Sequence, residues 1–266
     1  MVQAKTKILI NERVAKNIYR LTFEVPSFFP RPVPGQFVHV RIRDDFLPLL
    51  RRPFSISGFT EGDLTILYRV VGRGTEILSQ LEKNQEVDLL GPLGQGFFIK
   101  KETREYLVVG GGMGIAPLLY LLQKLEFMSE KKISISLFAG FKSFQEMIIG
   151  EQFYKKNPFK TYLATEDGSY GYKGLISDVV TDYIKGLSSY QGIAIYACGP
   201  LPMLRIIAGL SVEHGIFCQV LLEQIIGCGV GACGGCVVQG VKGYLRVCKE
   251  GPVFNASDIA WDRVSS

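Results

Sequence analysis

Four of the chain's six cysteines fall in one short, glycine-dense segment, and any fold for the chain has to bring them together. Cys228, Cys233, Cys236 and Cys248 are spaced C-x4-C-x2-C-x11-C, with Gly227, Gly229, Gly231, Gly234 and Gly235 around the first three. The spacing of the first three is that of plant-type [2Fe–2S] sites. Bringing three thiolates to one small cluster needs a tight backbone with positive φ angles, which glycine adopts without steric cost. With no side chains in the way, backbone N–H groups can point at the sulfur atoms and hold negative charge. The fourth cysteine returns from an expected hairpin, Val237 to Gln239 and Tyr244 to Val247, turning at Gly240 to Gly243. Two other chemistries use clustered cysteines. Zinc prefers paired C-x2-C knuckles, of which Cys233 and Cys236 form one. Disulfides need an oxidising compartment, and the chain shows no secretory signal and little other cysteine. The expected metal ligands are Cys228, Cys233, Cys236 and Cys248, with a zinc clip on a non-redox interaction module as the alternative.

The 266 residues leave room for two domains and a small appendage. Hydrophobic residues make up 47% of them, enough for real cores, so global disorder is excluded. The net charge of +5 is mild and its lysines and arginines are spread along the chain, which argues against a nucleic-acid partner. Met1 to Lys7 is polar and leads into a strand, and the longest apolar stretch, Ile115 to Leu122, is too short to span a bilayer. A cytoplasmic protein with no membrane contact is expected.

From Lys5 to about Lys100 the hydrophobic period is two. Leu21, Phe23 and Val25 alternate with Thr22 and Glu24; Val38, Val40 and Ile42 with His39 and Arg41; Leu64, Ile66 and Tyr68 with Thr65 and Leu67. Short alternating runs punctuated by Pro and Gly predict a small antiparallel barrel over residues 1–101, with a helix at Thr75 to Leu81. Arg52 and Ser55, in Arg52-Pro53-Phe54-Ser55, offer donors to a diphosphate and a ring edge. In Leu67-Tyr68-Arg69 and on to Gly74-Thr75, the last pair opens the helix, where free N–H groups can meet a phosphate. A phosphorylated cofactor is expected on this barrel. His39 and His214 stand alone, and neither is assigned chemistry.

Near Arg104 the pattern changes to strand, glycine turn and helix. Glu105 to Val109 reads as a buried strand, and Ile115 to Phe127 as a helix. Between them, Gly110, Gly111, Gly112 and Gly114 form a turn suited to a dinucleotide pyrophosphate. Strands at Ile133–Ala139, Thr161–Thr165, Ile193–Cys198 and Phe217–Leu222 alternate with helices near Phe144–Phe153, Leu175–Ile184 and Pro202–His214. This alternation predicts a parallel sheet covered on both faces, over residues 102–222. Thr165 to Ser169 and Cys198-Gly199-Pro200 fall at carboxyl strand ends, where such sheets bind ligands, so Cys198, Gly199 and Pro200 are candidate nicotinamide contacts. Cys218 reads as core. Phe141 to Glu146 holds a lysine and an acid but no arginine for a 2′-phosphate, which favours NAD over NADP. Residues 223–266 remain as the cluster-binding segment. Its apolar surround, Ile225, Ile226, Val230 and Ala232, is expected to dock a partner, and Trp261 to anchor either the domain or the interface.

Arg52-Pro53-Phe54-Ser55, Gly91-Pro92-Leu93-Gly94, Gly110 to Pro117 and Cys198-Gly199-Pro200 together resemble the ferredoxin–NADP reductase superfamily. With the cysteine segment and Cys248-Lys249-Glu250-Gly251-Pro252-Val253-Phe254, the whole chain resembles the electron-transfer subunits of class B dihydroorotate dehydrogenases. The resemblance implies an FAD-binding β-barrel, a parallel α/β nucleotide-binding domain and a small [2Fe–2S] segment. It also implies FAD at positions matching Arg52 to Ser55, Leu67 to Arg69 and Gly74-Thr75, and cluster ligation by the four cysteines. Electrons would come from an FMN-containing catalytic subunit, in a heterotetramer of two of each, and pass to NAD⁺ in pyrimidine biosynthesis. No acid–base residue of this chain is required. Ile225 and Ile226 depart from the family's usual polar residue and methionine. Small subunits of electron-bifurcating or sulfide-oxidising NAD(P)H-linked complexes share the architecture, and an aspartate often replaces the first cysteine in the bifurcating ones; here it is Cys228.

Overall fold

The computed structural model describes residues 1–42, 49–128, 133–149 and 159–264, and the change of period near Arg104 separates its two main sheets. Strands β1 (Val2–Ala15), β2 (Ile18–Glu24), β3 (Phe37–Arg41), β4 (Arg52–Thr60), β5 (Asp63–Arg69) and β6 (Glu86–Leu93) close an antiparallel barrel in the order β1-β2-β5-β4-β3-β6. Its interior is the apolar half of the alternating strands, among them Leu21, Phe23, Val38, Val40, Leu64 and Ile66. Each such side chain gains roughly 1.5–3 kcal/mol on burial. A one-residue slip would expose a whole set of them, so this face fixes the register.

Strand β3 breaks the alternation. Phe37, Val38, His39 and Val40 are all buried, because Val38 and Val40 look into the barrel while the opposite face is covered by the cysteine segment. Phe37 and Leu93 share one apolar cluster with Cys236, Val238, Val247 and Cys248.

The barrel's helix, α1 (Arg73–Ser79), starts before the expected Thr75. Its N-cap is Gly72, which has no side chain to cap with, and the Thr75 hydroxyl reaches back instead, accepting from Val71 N at 2.9 Å and Gly72 N at 3.2 Å.

Beyond Arg104, β7 (Glu105–Gly111), β8 (Ser134–Phe141), β9 (Lys160–Thr165), β10 (Tyr172–Lys173), β11 (Ile193–Cys198) and β12 (Phe217–Leu221) run parallel in the order β10-β9-β8-β7-β11-β12. Every residue of β7 is buried, as expected of a strand covered on both faces. Helix α2 (Ile115–Met128) covers one face; α3 (Ile176–Lys185) and α4 (Leu201–Glu213) cover the other. The helix expected near Phe144–Phe153 is, in its described part, only a 3-10 turn at Phe144–Glu146. Met147 leaves it in extended conformation, since Met147 and Ile149 turn into the core while Glu146 pairs with Arg69. Residues 150–158 lie outside the described residues.

The C-terminal segment forms a hairpin, β13 (Val237–Gly240) with β14 (Gly243–Arg246), the second strand beginning at Gly243 rather than Tyr244. A further strand, β15 (Val253–Asn255), pairs antiparallel with β12 and extends the nucleotide sheet to seven strands. The tail then folds back. Trp261 Nε1 donates to Ala256 O at 2.8 Å and the Arg205 guanidinium of α4 to Val264 O, so Trp261 anchors its own domain. No helix among the described residues is long and apolar enough to cross a membrane.

Candidate functional site

The four clustered cysteines come together as two pairs. The Cys228 thiol interacts with Cys233, and the Cys248 thiol with Cys236. Among the described residues no three His, Cys, Asp or Glu side chains group around a single-ion position. Two thiolates for each of two irons is the donor set of a [2Fe–2S] centre, and two thiol pairs fit it. Backbone donors already point at the sulfurs: Gly231 N lies 3.2 Å from Cys248 Sγ, Cys248 N 3.4 Å from Cys236 Sγ and Cys233 N 3.5 Å from Cys228 Sγ. Partial burial raises the Cys228 pKa, but the N–H groups of Cys233, Val230 and Ala232 outweigh it and bring the thiol down to about 6. Burial and the Cys236 thiol push Cys248 up to about 12. Arg246 ties loop to hairpin, donating to Gly231 O at 2.9 Å while paired with Glu250.

On the barrel, Arg52, Pro53, Phe54 and Ser55 lie along β4 beside β3, with Pro53 opposite His39 and Ser55 opposite Phe37. The Arg52 guanidinium crosses to α1: a Cβ on Gly74 would stand 3.2 Å from Arg52 Nε. The two expected anion-binding features therefore form one spot, with the free N–H groups of the first helical turn beside a cation. Thr75 contributes only backbone there, because its hydroxyl is the helix cap. On β5, Leu67 is buried, and the Tyr68 ring sits between Tyr19 and Phe54 with its hydroxyl on Asn11 at 3.1 Å. Arg69 reaches across to the nucleotide half and pairs with Glu146 at 2.8 Å.

A cleft of about 1150 Å³ opens at the carboxyl edge of the parallel sheet. Its lining joins all three parts of the molecule: Arg69 of the barrel, Gly111, Gly112, Gly114, Glu166, Gly199 and Pro200 at the sheet edge, and Ile225, Val237 and Val238 beside the cysteines. Gly110 stays out of it, buried against Ile115. The Cys198 side chain also stays out. It is 0% exposed in the apolar core behind the strand end, where burial and then the nearby Glu223 charge raise its pKa well above the usual thiol value. Cys218 is likewise core, pushed up to about 12 by burial. Glu223 and Gln224 line the cleft and were missed in the sequence, although Glu223 follows directly on the β12 end. The surrounding protein raises the Glu223 pKa. The expected docking set divides: Ile225 is 88% exposed and Val230 and Ala232 are exposed, whereas Ile226 packs against the core.

Two family models match the chain. Residues 223–260 match the iron–sulfur cluster binding domain of dihydroorotate dehydrogenase B, and residues 108–209 an oxidoreductase NAD-binding domain. A relative from Caldanaerobacter subterraneus, a dihydroorotate dehydrogenase B (NAD(+)) electron transfer subunit, is 40% identical over 96% of this chain and 97% of its own. Its counterpart in Fusobacterium nucleatum is 38% identical over 94% of this chain and 95% of its own. Among solved structures, one described as an NADH-dependent reduced ferredoxin–NADP oxidoreductase, studied for flavin-based electron bifurcation, superposes with TM-score 0.84 at 26% identity. That match covers 98% of this chain and 91% of the other. A ferredoxin NADP⁺ reductase from Neisseria gonorrhoeae, solved with FAD and NADP, shares the fold at TM-score 0.68 and 15% identity, over 81% of this chain and 92% of its own.

Proposed function

Because this chain belongs to the family of dihydroorotate dehydrogenase B electron transfer subunits, we propose that it takes electrons from an FMN-containing, dihydroorotate-oxidising catalytic subunit and delivers them to NAD⁺. The assembly we propose is a heterotetramer of two copies of each chain. A bound [2Fe–2S] centre and FAD supply the conversion between one-electron and two-electron transfer. The chain's own residues place these groups. Cys228, Cys233, Cys236 and Cys248 would hold the cluster, with the N–H groups of Gly231, Cys233 and Cys248 turned toward the sulfurs. Arg52, Pro53, Phe54, Ser55, Leu67, Tyr68, Arg69, Gly74 and Thr75 form the flavin wall, and Gly111, Gly112, Gly114, Gly199 and Pro200 the nicotinamide wall. The observation that carries this reading is the single cleft touched by the barrel, the sheet edge and the cysteine segment. Placing the cofactors that would bind there is the protein's contribution, and no proton-transfer residue is needed.

The catalytic subunit docks, in this reading, on the exposed apolar residues beside the cysteines, Ile225, Val230 and Val237. Purified chain should carry FAD, iron and acid-labile sulfide. It should reduce artificial acceptors with NADH and fail to oxidise dihydroorotate until the catalytic subunit is added. Val230→Glu, on an exposed residue outside the cleft lining, should weaken assembly by about 10-fold or more, as expected for a central apolar anchor, and leave NADH-dependent acceptor reduction intact. Undiminished co-assembly of that variant would move the docking surface elsewhere.

A further inference from the structure

His39 is 0% exposed, and neither ring nitrogen has a hydrogen-bond partner among the described residues. A neutral imidazole carries one donor and one acceptor. Burying both unpaired is unfavourable, and a leucine or phenylalanine would fill the same space without that penalty. The ring's surroundings narrow what it serves. Its strand neighbour across β4 is Pro53, and the nearby Arg51 and Arg52 carry only donors, with Arg51 already paired to Asp88 at 2.8 Å.

The ring stands on the outward side of β3 with Phe37, edge to face at 5.9 Å between centroids, and Phe37 packs in the cluster that contains Cys236 and Cys248. Its nitrogen-bearing edge abuts the residue that follows Cys228: a Cβ at Gly229 would lie 2.9 Å from His39 Nδ1 and 3.0 Å from Cε1. Gly229 also has φ +74°, so the loop bends in a left-handed conformation where it meets the ring. An unpartnered polar ring is thus pressed against the loop that presents the thiolates.

Resting on the cluster reading above, we propose that the His39 ring N–H donates a hydrogen bond to the sulfur centre held by Cys228 and its partners, which makes His39 a positioning residue that sets the centre's potential. Hydrogen bonds to the sulfurs are one of the protein's levers on that potential. A donor favours the reduced form, which carries more negative charge, so losing it lowers the midpoint. His39 also lies on the strand beside the flavin motif, so the same ring spans the wall between barrel and loop.

The full chain, loaded with cluster and flavin, provides the test. It contains only two histidines, and the other, His214, stacks on Tyr190 at 4.4 Å at the end of α4. With ¹⁵N-histidine labelling, the dithionite-reduced cluster should show a weak ¹⁵N hyperfine coupling by pulsed electron paramagnetic resonance, absent in His39→Leu. His39→Leu with full iron and sulfide content should have a lower cluster midpoint, and His39→Gln, which keeps an N–H donor, should recover part of the shift. No coupling in the labelled wild-type protein overturns the assignment even if the variants fail to fold. A midpoint change confined to the flavin overturns it too and makes the flavin the acceptor. Absence of iron and sulfide from wild-type protein would instead remove the cluster reading itself.

Discussion

The glycine turn at Gly110–Gly114 and the cysteine loop at Gly227–Cys236 are both glycine-dense, and they use the residue for different reasons. In the first, neighbouring atoms exclude side chains at Gly110, Gly111 and Gly114, and only Gly112 combines a left-handed φ of +55° with open space. A Cβ on Gly114 would overlap the carbonyl of Cys198, one on Gly110 would come 2.6 Å from Ile115 Cδ1, and one on Gly111 2.7 Å from Pro200 Cδ. In the second, a left-handed backbone is common to Gly229, Gly231 and Gly234, with φ of +74°, +78° and +68°; Gly234 has open space around it, while a Cβ on Gly229 would meet the His39 ring and one on Gly231 the flexible Lys249 side chain. The nucleotide bend is packed by protein on all sides but the cleft. The cysteine loop is arranged around thiols and N–H groups that converge on one another. The first should keep its shape when empty, and the second should depend on what it holds.

The largest effect should come from Gly114→Ala, where backbone meets backbone and nothing flexible can yield. We expect a loss of about 3 kcal/mol or more, read from the urea midpoint, as for severe overpacking. A loss below 1 kcal/mol would show that this bend is looser than its packing implies. Removing iron with a reductant and chelator should come next. Amide exchange across Cys228–Cys236 should rise on the order of 100-fold, as for local opening, while β7 and α2 keep their protection. Equal loosening of both bends would erase the contrast. Smallest is Gly234→Ala, where only the left-handed backbone resists; about 1 kcal/mol of destabilisation is expected, with iron retained. A much larger loss, or loss of iron, would mean that this glycine touches the cluster.

Legibility in the sequence follows the same division. The barrel and the parallel sheet were readable because period-two runs and strand–helix alternation are local signals carried by Leu21, Phe23, Leu64 and the β7 run. The cysteine spacing was readable because ligand geometry constrains it. What escaped depends on contacts distant in sequence. The burial of His39 on a strand face that alternation alone would give to solvent comes from a segment nearly two hundred positions later. Ile225 and Ile226 look alike in a loop without a regular period, and only the fold separates the exposed one from the packed one. At Cys198 the strand end was visible, but its inward-facing side chain was not. Glu223 obeys the strand-end rule that flagged Glu166, yet it sits where attention falls on the cysteines that follow.

Strand β15 has a consequence for how such a molecule can be built. It lies directly against β12, with Leu221 opposite Val253 and Leu222 N bonded to Pro252 O at 2.9 Å. The whole stretch between them, cysteines included, is in topological terms the connection of one β-hairpin. Its two ends are held side by side by the sheet, so its length can vary at small entropic cost, each doubling adding only about 0.6 kcal/mol. The cysteine segment is therefore, in chain order, a loop insertion between two paired strands. Shortening the connection to a tight turn would leave β12 and β15 able to pair, but would uncover the outward face of β3, where Phe37 and His39 are now buried, and take away one wall of the cleft.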